Sequence, residues 1–109
     1  NALAVLAAAE QGNLLNAPDT YMDKLAVGPG YPEGVIDLAK SPSDNVRAVA
    51  AAKGVAPSDI IVCVLDRPRH AELIAELRSL GCGVVLIGDG DVAGVIAVTD
   101  PDTTIDMYM

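Results

Sequence analysis

Ile60-Ile61-Val62-Cys63-Val64-Leu65 runs without a polar residue into Asp66-Arg67-Pro68-Arg69-His70, and the reading of this junction decides the fold. Six consecutive apolar residues rich in β-branching describe a central strand covered on both faces. From about His70 to Leu80, Leu73, Ile74, Leu77 and Leu80 fall on one face of a helix and Glu72 and Glu76 on the other, with Gly81 and Gly83 as the stop. The next apolar run, Val84 to Ile87, ends in Gly88-Asp89-Gly90-Asp91. Strand, helix and strand make a βαβ unit, whose crossover is right-handed almost without exception. If the two strands are parallel neighbours, both loops leave the carboxyl edge of one sheet, where open α/β sheets bind their ligands. Arg67, Arg69, Asp89 and Asp91 would then face one crevice.

Downstream, a short helix from Val92 to about Val98, the turn Asp100-Pro101-Asp102 and a last strand from Thr104 to Met109 complete a β-α-β-α-β half. Upstream, Ser41-Pro42-Ser43-Asp44 starts a helix, with Ser41 as N-cap and Pro42 at the first helical position. Val46, Val49 and Ala50 form its inner stripe, Arg47 and Lys53 face solvent, and Gly54 ends it. Gly28 to Gly34 holds three glycines and two prolines. It reads as a structural turn before the short extended piece Val35 to Leu38 rather than as a phosphate cradle, because it lacks the Lys-Ser/Thr of a P-loop. Tyr21 to Val27 alternates partly and follows the turn Ala17-Pro18-Asp19-Thr20, so a third antiparallel strand is expected there. Leu3 to Glu10 could be helical by propensity, but the turn Glu10-Gln11-Gly12-Asn13 between Leu3–Leu6 and Leu14–Ala17 favours a hairpin. The organisation expected is one partial α/β domain over 1–109: antiparallel strands and a loop over 1–38, then a helix and the β-α-β-α-β half over 41–109.

With 109 residues and only three aromatic side chains, all Tyr, the core must be filled by Ala, Val, Leu and Ile, which suits packed layers rather than a stapled mini-fold. Seven basic against fifteen acidic residues give a formal charge of −8, which repels nucleic acid and anionic membrane over most of the surface. Neither is expected as a partner. An anion must therefore bind locally, and among Lys24, Lys40, Arg47, Lys53, Arg67, Arg69 and Arg78 only Arg67 and Arg69 fall together. No apolar stretch is long enough to span a membrane and no signal peptide is written at the start, so a cytoplasmic protein is expected. Cys63 and Cys82 fit no metal spacing and read as free thiols, with a disulfide between them as the alternative. The first residue falls inside an apolar segment and the last inside a strand. A piece of a longer protein is the expectation.

Guanidinium groups match phosphate oxygens in forked pairs, Pro68 fixes the backbone between them, and the helix start adds positive potential. The alternative for Arg67 and Arg69 is a surface pair neutralised by Asp66. His70 either titrates near neutrality or is a structural helix-start residue. Asp89 and Asp91 are too few carboxylates for an all-protein metal site. They could instead accept from sugar hydroxyls, with Gly90 allowing close approach, or form a solvated turn that caps the next helix. Tyr21 could offer its hydroxyl to a ligand. No G-x-G-x-x-G follows the Ile60 strand, which disfavours dinucleotide binding; a non-catalytic module binding a sugar phosphate or nucleotide and a purely structural domain stay open on the residues alone.

Asn1-Ala2-Leu3-Ala4-Val5-Leu6, Leu15-Asn16-Ala17-Pro18-Asp19, Tyr21-Met22-Asp23-Lys24, Val27-Gly28-Pro29-Gly30, Arg67-Pro68-Arg69-His70 and Asp89-Gly90-Asp91-Val92-Ala93 resemble, in order and spacing, the class II fructose-1,6-bisphosphatases of bacteria. That family includes relatives acting also on sedoheptulose 1,7-bisphosphate. The resemblance covers the whole chain. It implies the layered α/β sugar-phosphatase fold shared with inositol monophosphatases, and metal-dependent hydrolysis of the 1-phosphate of fructose 1,6-bisphosphate in gluconeogenesis. By the same resemblance Tyr21, Arg67-Pro68-Arg69 and Asp89-Gly90-Asp91 match substrate-binding positions, although the family often carries Lys at the position of Arg67. The cofactor implied is Mn2+ or Mg2+. Its carboxylate ligands and an Asp-Pro-x-Glu-Gly-Thr phosphate motif would precede Asn1, and a last metal-binding Glu would follow Met109, so no catalytic or metal residue is expected within 1–109. The partners implied are a sugar bisphosphate and, for the full-length enzyme, further copies of itself.

Overall fold

The computed structural model describes residues 4, 6–14, 18 and 20–109. Four strands, β1 (Ala26–Val27), β2 (Ile61–Leu65), β3 (Gly83–Ile87) and β4 (Met107–Tyr108), and three helices, α1 (Pro42–Lys53), α2 (Ala71–Ser79) and α3 (Asp91–Ala97), make an α/β fold around one mixed sheet. The strand order is β1-β4-β2-β3. β2 and β3 pair in parallel from Ile61↔Gly83 to Leu65↔Ile87, so their carboxyl ends coincide as expected. β4 runs parallel to β2 on its other flank, and β1 closes the sheet antiparallel to β4. The chain thus leaves β2 to one side, returns to the other, and the strand order reverses between β2 and β4. Such a reversal opens a crevice outside the carboxyl ends of the two strands.

Period-2 alternation along β2 sends its side chains to two different cores. Val62 and Val64, with Ile60 and Met107, are buried against Val46, Val49 and Ala50 of α1 and Ile74 and Leu77 of α2. Cys63, Tyr108 and Val98 form the core under α3. The sheet is therefore sandwiched, with α1 and α2 on one face and α3 on the other. The fully buried Val, Ile, Leu and Met side chains among them each contribute roughly 1.5–3 kcal/mol by leaving water. Both cysteines are free and buried, one in each core.

The ends of α1 are written in the sequence. Ser41 accepts from the Asp44 amide at 3.1 Å, Pro42 opens the helix, and Gly54 closes it in the left-handed region at φ 76°. Two polar residues make tertiary contacts that the sequence did not show. Glu76, expected on the solvent face of α2, accepts from the Ser43 amide at 2.9 Å and ties the start of α1 to α2. Lys53 is exposed as expected, but its ammonium pairs with Asp106, which also accepts from the Ile61 amide at 2.9 Å and so fixes the entry to β2. That pairing holds the Lys53 ammonium above the usual lysine range.

Three expected elements are shorter or unpaired. The strand expected over Tyr21 to Val27 exists only at Ala26–Val27, because its partner is β4, and β4 itself is two residues long rather than the whole of Thr104 to Met109. Val35 to Leu38 forms bends and turns rather than strand. The hairpin expected from Leu3–Leu6 and Leu14–Ala17 falls partly on residues 1–3, 5 and 15–17, and with 19 these lie outside the described residues. The turn between its arms is present, with the Asn13 amide donating to Glu10 at 3.1 Å and Gly12 at φ 89°, but residues 4 and 6–14 form no strand. No helix among the described residues is long and apolar enough to cross a membrane.

Gly94 sits where α3 presses on the sheet. A Cβ there would meet the Tyr108 ring at 2.6 Å and Ile87 at 3.0 Å. Overpacking of this kind costs about 1–3 kcal/mol, more than the roughly 1 kcal/mol of helix propensity that alanine returns. In the full-length protein Gly94→Ala is expected to lower the melting temperature by a few degrees. An unchanged or raised melting temperature would mean that α3 lifts freely from β4.

Candidate functional site

Leu65 ends β2, and Pro68–His70 form a single 3-10 turn that leads into α2. Pro68 stands at the first position of that turn, where its missing amide costs nothing. The two arginines that flank it point to different tasks. Arg67 donates from one guanidinium nitrogen to the carbonyls of Asp66 and Gly88, both at 2.8 Å. It staples the loop after β2 to the loop after β3. Arg69 instead lies over the ring of Tyr21, 4.3 Å from its centroid, a cation–π contact. His70 places Nδ1 2.7 Å from the Leu65 carbonyl. A carbonyl only accepts, so Nδ1 carries the proton and the residue secures the end of β2.

Beyond β3, Gly90 takes the left-handed conformation at φ 80°, which glycine adopts without strain. Asp89 accepts from the Gly90 amide at 2.8 Å and Asp91 from the Val92 amide at 3.0 Å. The N-cap of α3 is Gly90, which has no side chain to cap with, so capping by the aspartates, one of the sequence readings, is absent; Asp91 lies in the first turn instead. The other oxygen of Asp91 pairs with Lys24. That bond holds the Asp91 carboxyl below the usual carboxylate range, against the opposing effect of its partial burial.

These contacts bring together three regions far apart in sequence. Tyr21, Lys24, Lys40, Asn45, Arg69 and His70 line a cavity of about 440 Å³ at the carboxyl ends of β2 and β4. Of the residues implied as substrate-binding, Tyr21 and Arg69 line it, and Arg67, Pro68, Asp89, Gly90 and Asp91 do not; Arg67 joins the two loops through the Gly88 carbonyl, and Asp91 is tied to the cavity-lining Lys24. In a chain of net charge −8, three of the cavity's charged side chains are cations and one, Asp23, is an anion. Such a concentration of one sign in a concave site favours an anionic ligand.

Asn45 was not legible from sequence. Only 3% exposed, it accepts from the Asp37 amide at 2.9 Å and donates to the Asp37 and Ser41 carbonyls at 3.0 and 3.2 Å. It shapes the bend that carries Lys40. Lys24 and Lys40 have no neighbouring cation to draw attention to them, and their convergence is tertiary.

The arrangement can bind and orient an anion. Among the described residues no group of three or more His, Cys, Asp and Glu side chains could hold a metal ion, and Asp89 and Asp91 are already engaged with backbone amides and Lys24. The implied Mn2+ or Mg2+ does not fit the residues described.

The whole chain, residues 1–109, matches a family described as bacterial fructose-1,6-bisphosphatase, glpX-encoded. It is 51% identical over 107 residues to the Fructose-1,6-bisphosphatase 1 class 2 of Escherichia coli (strain K12), covering 98% of this chain and 32% of that protein. It is 48% identical over 95 residues to the D-fructose 1,6-bisphosphatase class 2/sedoheptulose 1,7-bisphosphatase of Synechococcus sp. (strain RCC307), covering 87% of this chain and 28% of that protein. The chain spans about a third of the length of the curated relatives it matches.

The Arg67 staple makes a local prediction. Arg67→Met leaves the exposed carbonyls to water, so global stability should fall by no more than about 1 kcal/mol. Amide hydrogen exchange at Gly88–Asp91 should nonetheless accelerate while β2 and β3 stay protected. Unchanged exchange at the loop would mean the staple confers no order.

Proposed function

The chain belongs to the glpX-encoded bacterial fructose-1,6-bisphosphatase family, and from that premise we propose that it supplies the substrate-holding edge of a cytoplasmic sugar-bisphosphate phosphatase of carbohydrate metabolism. The full-length protein hydrolyses the 1-phosphate of fructose 1,6-bisphosphate to give fructose 6-phosphate and phosphate, a gluconeogenic step, and acts as a homo-oligomer. The three-layer arrangement around a mixed sheet supports assignment to the layered sugar-phosphatase fold of the inositol monophosphatases.

Tyr21, Arg67, Pro68, Arg69, Asp89, Gly90 and Asp91 are the substrate-binding residues of this proposal. Arg69 and Tyr21 meet a phosphate group, the Asp89-Gly90-Asp91 loop receives sugar hydroxyls, and Arg67 contributes positive charge while holding the two loops together. The reaction draws on Mn2+ or Mg2+, for which the described residues offer no ligand set. The observation that carries the reading is the β2–β3 register. It supports one substrate edge built from both loops, with the Arg69–Tyr21 pair opening on a cationic cavity in an acidic chain.

Kinetics of the full-length enzyme test it. A charge-assisted hydrogen bond contributes roughly 1.5–3 kcal/mol, about ten- to a hundredfold in binding. Arg69→Ala should raise KM for fructose 1,6-bisphosphate by about that factor with little change in kcat, because the contact is made equally in ground and transition states. Unchanged constants would remove Arg69 from the site.

A further inference from the structure

We propose that Lys24 is a positioning residue of the substrate site: its bond to Asp91 holds the Asp89-Gly90-Asp91 loop against the Tyr21–Leu25 segment and so sets the direction in which that loop meets a sugar hydroxyl. The inference rests on the proposed function and adds a residue to it.

Residues 21–25 form no strand; pairing begins at Ala26. What seats this segment is side-chain chemistry at three points. Leu25 packs against the core beneath α1 and α2, Tyr21 lies under Arg69 at 4.3 Å, and Lys24 reaches Asp91 across 67 positions of sequence. The segment therefore bridges the loop after β2 and the loop after β3, clamped by one cation at each end.

On the other side of the bond, the Arg67 staple holds the loop at the Gly88 carbonyl, and the two aspartates have only local bonds besides Lys24. Asp89 bonds the next amide, and one oxygen of Asp91 bonds the Val92 amide at 3.0 Å. These fix the carboxylate relative to α3 but not relative to the cavity. The second oxygen, taken by Lys24, does that. A carboxylate offers about four acceptor positions, so Asp91 can keep both partners and still accept from a hydroxyl.

The charged and titratable groups around Asp91 come from several elements. Lys24 lies on the segment, Asp89 on the same loop, and Tyr108 on β4, with Arg69 and Cys63 beyond Tyr108. Tyr108 is raised above the usual phenol range first by burial and then by the charge of Asp91, with Cys63 acting in the same sense and Arg69 in the opposite one. Loss of Lys24 leaves Asp91 without its bonded cation, so its carboxyl would take up a proton at higher pH. A group that binds substrate only when ionised then fails earlier as the pH falls.

The test uses full-length enzyme with its metal, and KM and kcat for fructose 1,6-bisphosphate measured across the acid range. Lys24→Met should raise KM on the order of tenfold, leave kcat within about twofold, and move the acidic rise of KM to higher pH. Lys24→Arg, which keeps the charge, should restore most of KM and the original pH profile. In an Asp91→Asn background Lys24→Met should add little, since residues acting through one bond are not additive. A Lys24→Met enzyme with wild-type KM and pH profile, or effects of Lys24→Met and Asp91→Asn that simply add, would overturn the role of Lys24. Failure of the wild-type protein to hydrolyse the bisphosphate would instead overturn the proposed function.

Discussion

The parallel pairing of Ile61–Leu65 with Gly83–Ile87 is the constraint on which the rest depends. Side-chain direction in a strand alternates, so a shift of one residue would exchange the faces of β3 and move its terminal loop along the edge. In the observed register Leu65 and Ile87 end together, and the Asp66 amide donates to the Ile87 carbonyl at 2.8 Å. The two loops therefore start at the same height. Arg67 can reach the Gly88 carbonyl only because of this, and Asp91 is brought within reach of a lysine on a segment from the other end of the chain.

Placement of β4 adds the second condition. By returning to the far side of β2, the chain creates the crevice lined by Arg69 and His70 after β2 and by Tyr108 of β4. Gly94 keeps α3 close enough to bury Tyr108, and Asn45 shapes the bend beside α1 that brings Lys40 to the same cavity. Acidic residues outnumber basic ones in the chain by fifteen to seven, yet the fold gathers Lys24, Lys40 and Arg69 in one concavity. Cations thus outnumber anions in the lining of this concavity, the reverse of the chain as a whole.

What sequence disclosed depended on how local the determining physics was. The Ile60–Leu65 run, the caps of α1 at Ser41 and Gly54, and the amphipathic stripe of α2 are decided within a few residues, and each formed as expected. Tyr21 to Val27 resembled a strand, but strand length depends on a partner, and the partner is Met107–Tyr108, some eighty positions away. Glu76 looked like solvent-face charge because its partner, Ser43, is on another helix. The site divides along the same line. Arg67, Arg69, Asp89 and Asp91 were conspicuous beside strand ends, whereas Lys24, Lys40 and Asn45 gain their meaning only from tertiary contacts.

Central to the account is that the loop after β2, the loop after β3 and the Tyr21 segment form one ligand-binding edge. The most direct measurement is a crystal structure of the full-length protein with fructose 1,6-bisphosphate. The account predicts a phosphate oxygen within about 2.7–3.1 Å of the Arg69 guanidinium or the Tyr21 hydroxyl, with a sugar hydroxyl on the Asp89-Gly90-Asp91 loop. A sugar bisphosphate bound away from this edge, with Arg69 still lying over Tyr21 and Asp91 keeping only its Lys24 and Val92 partners, would contradict it.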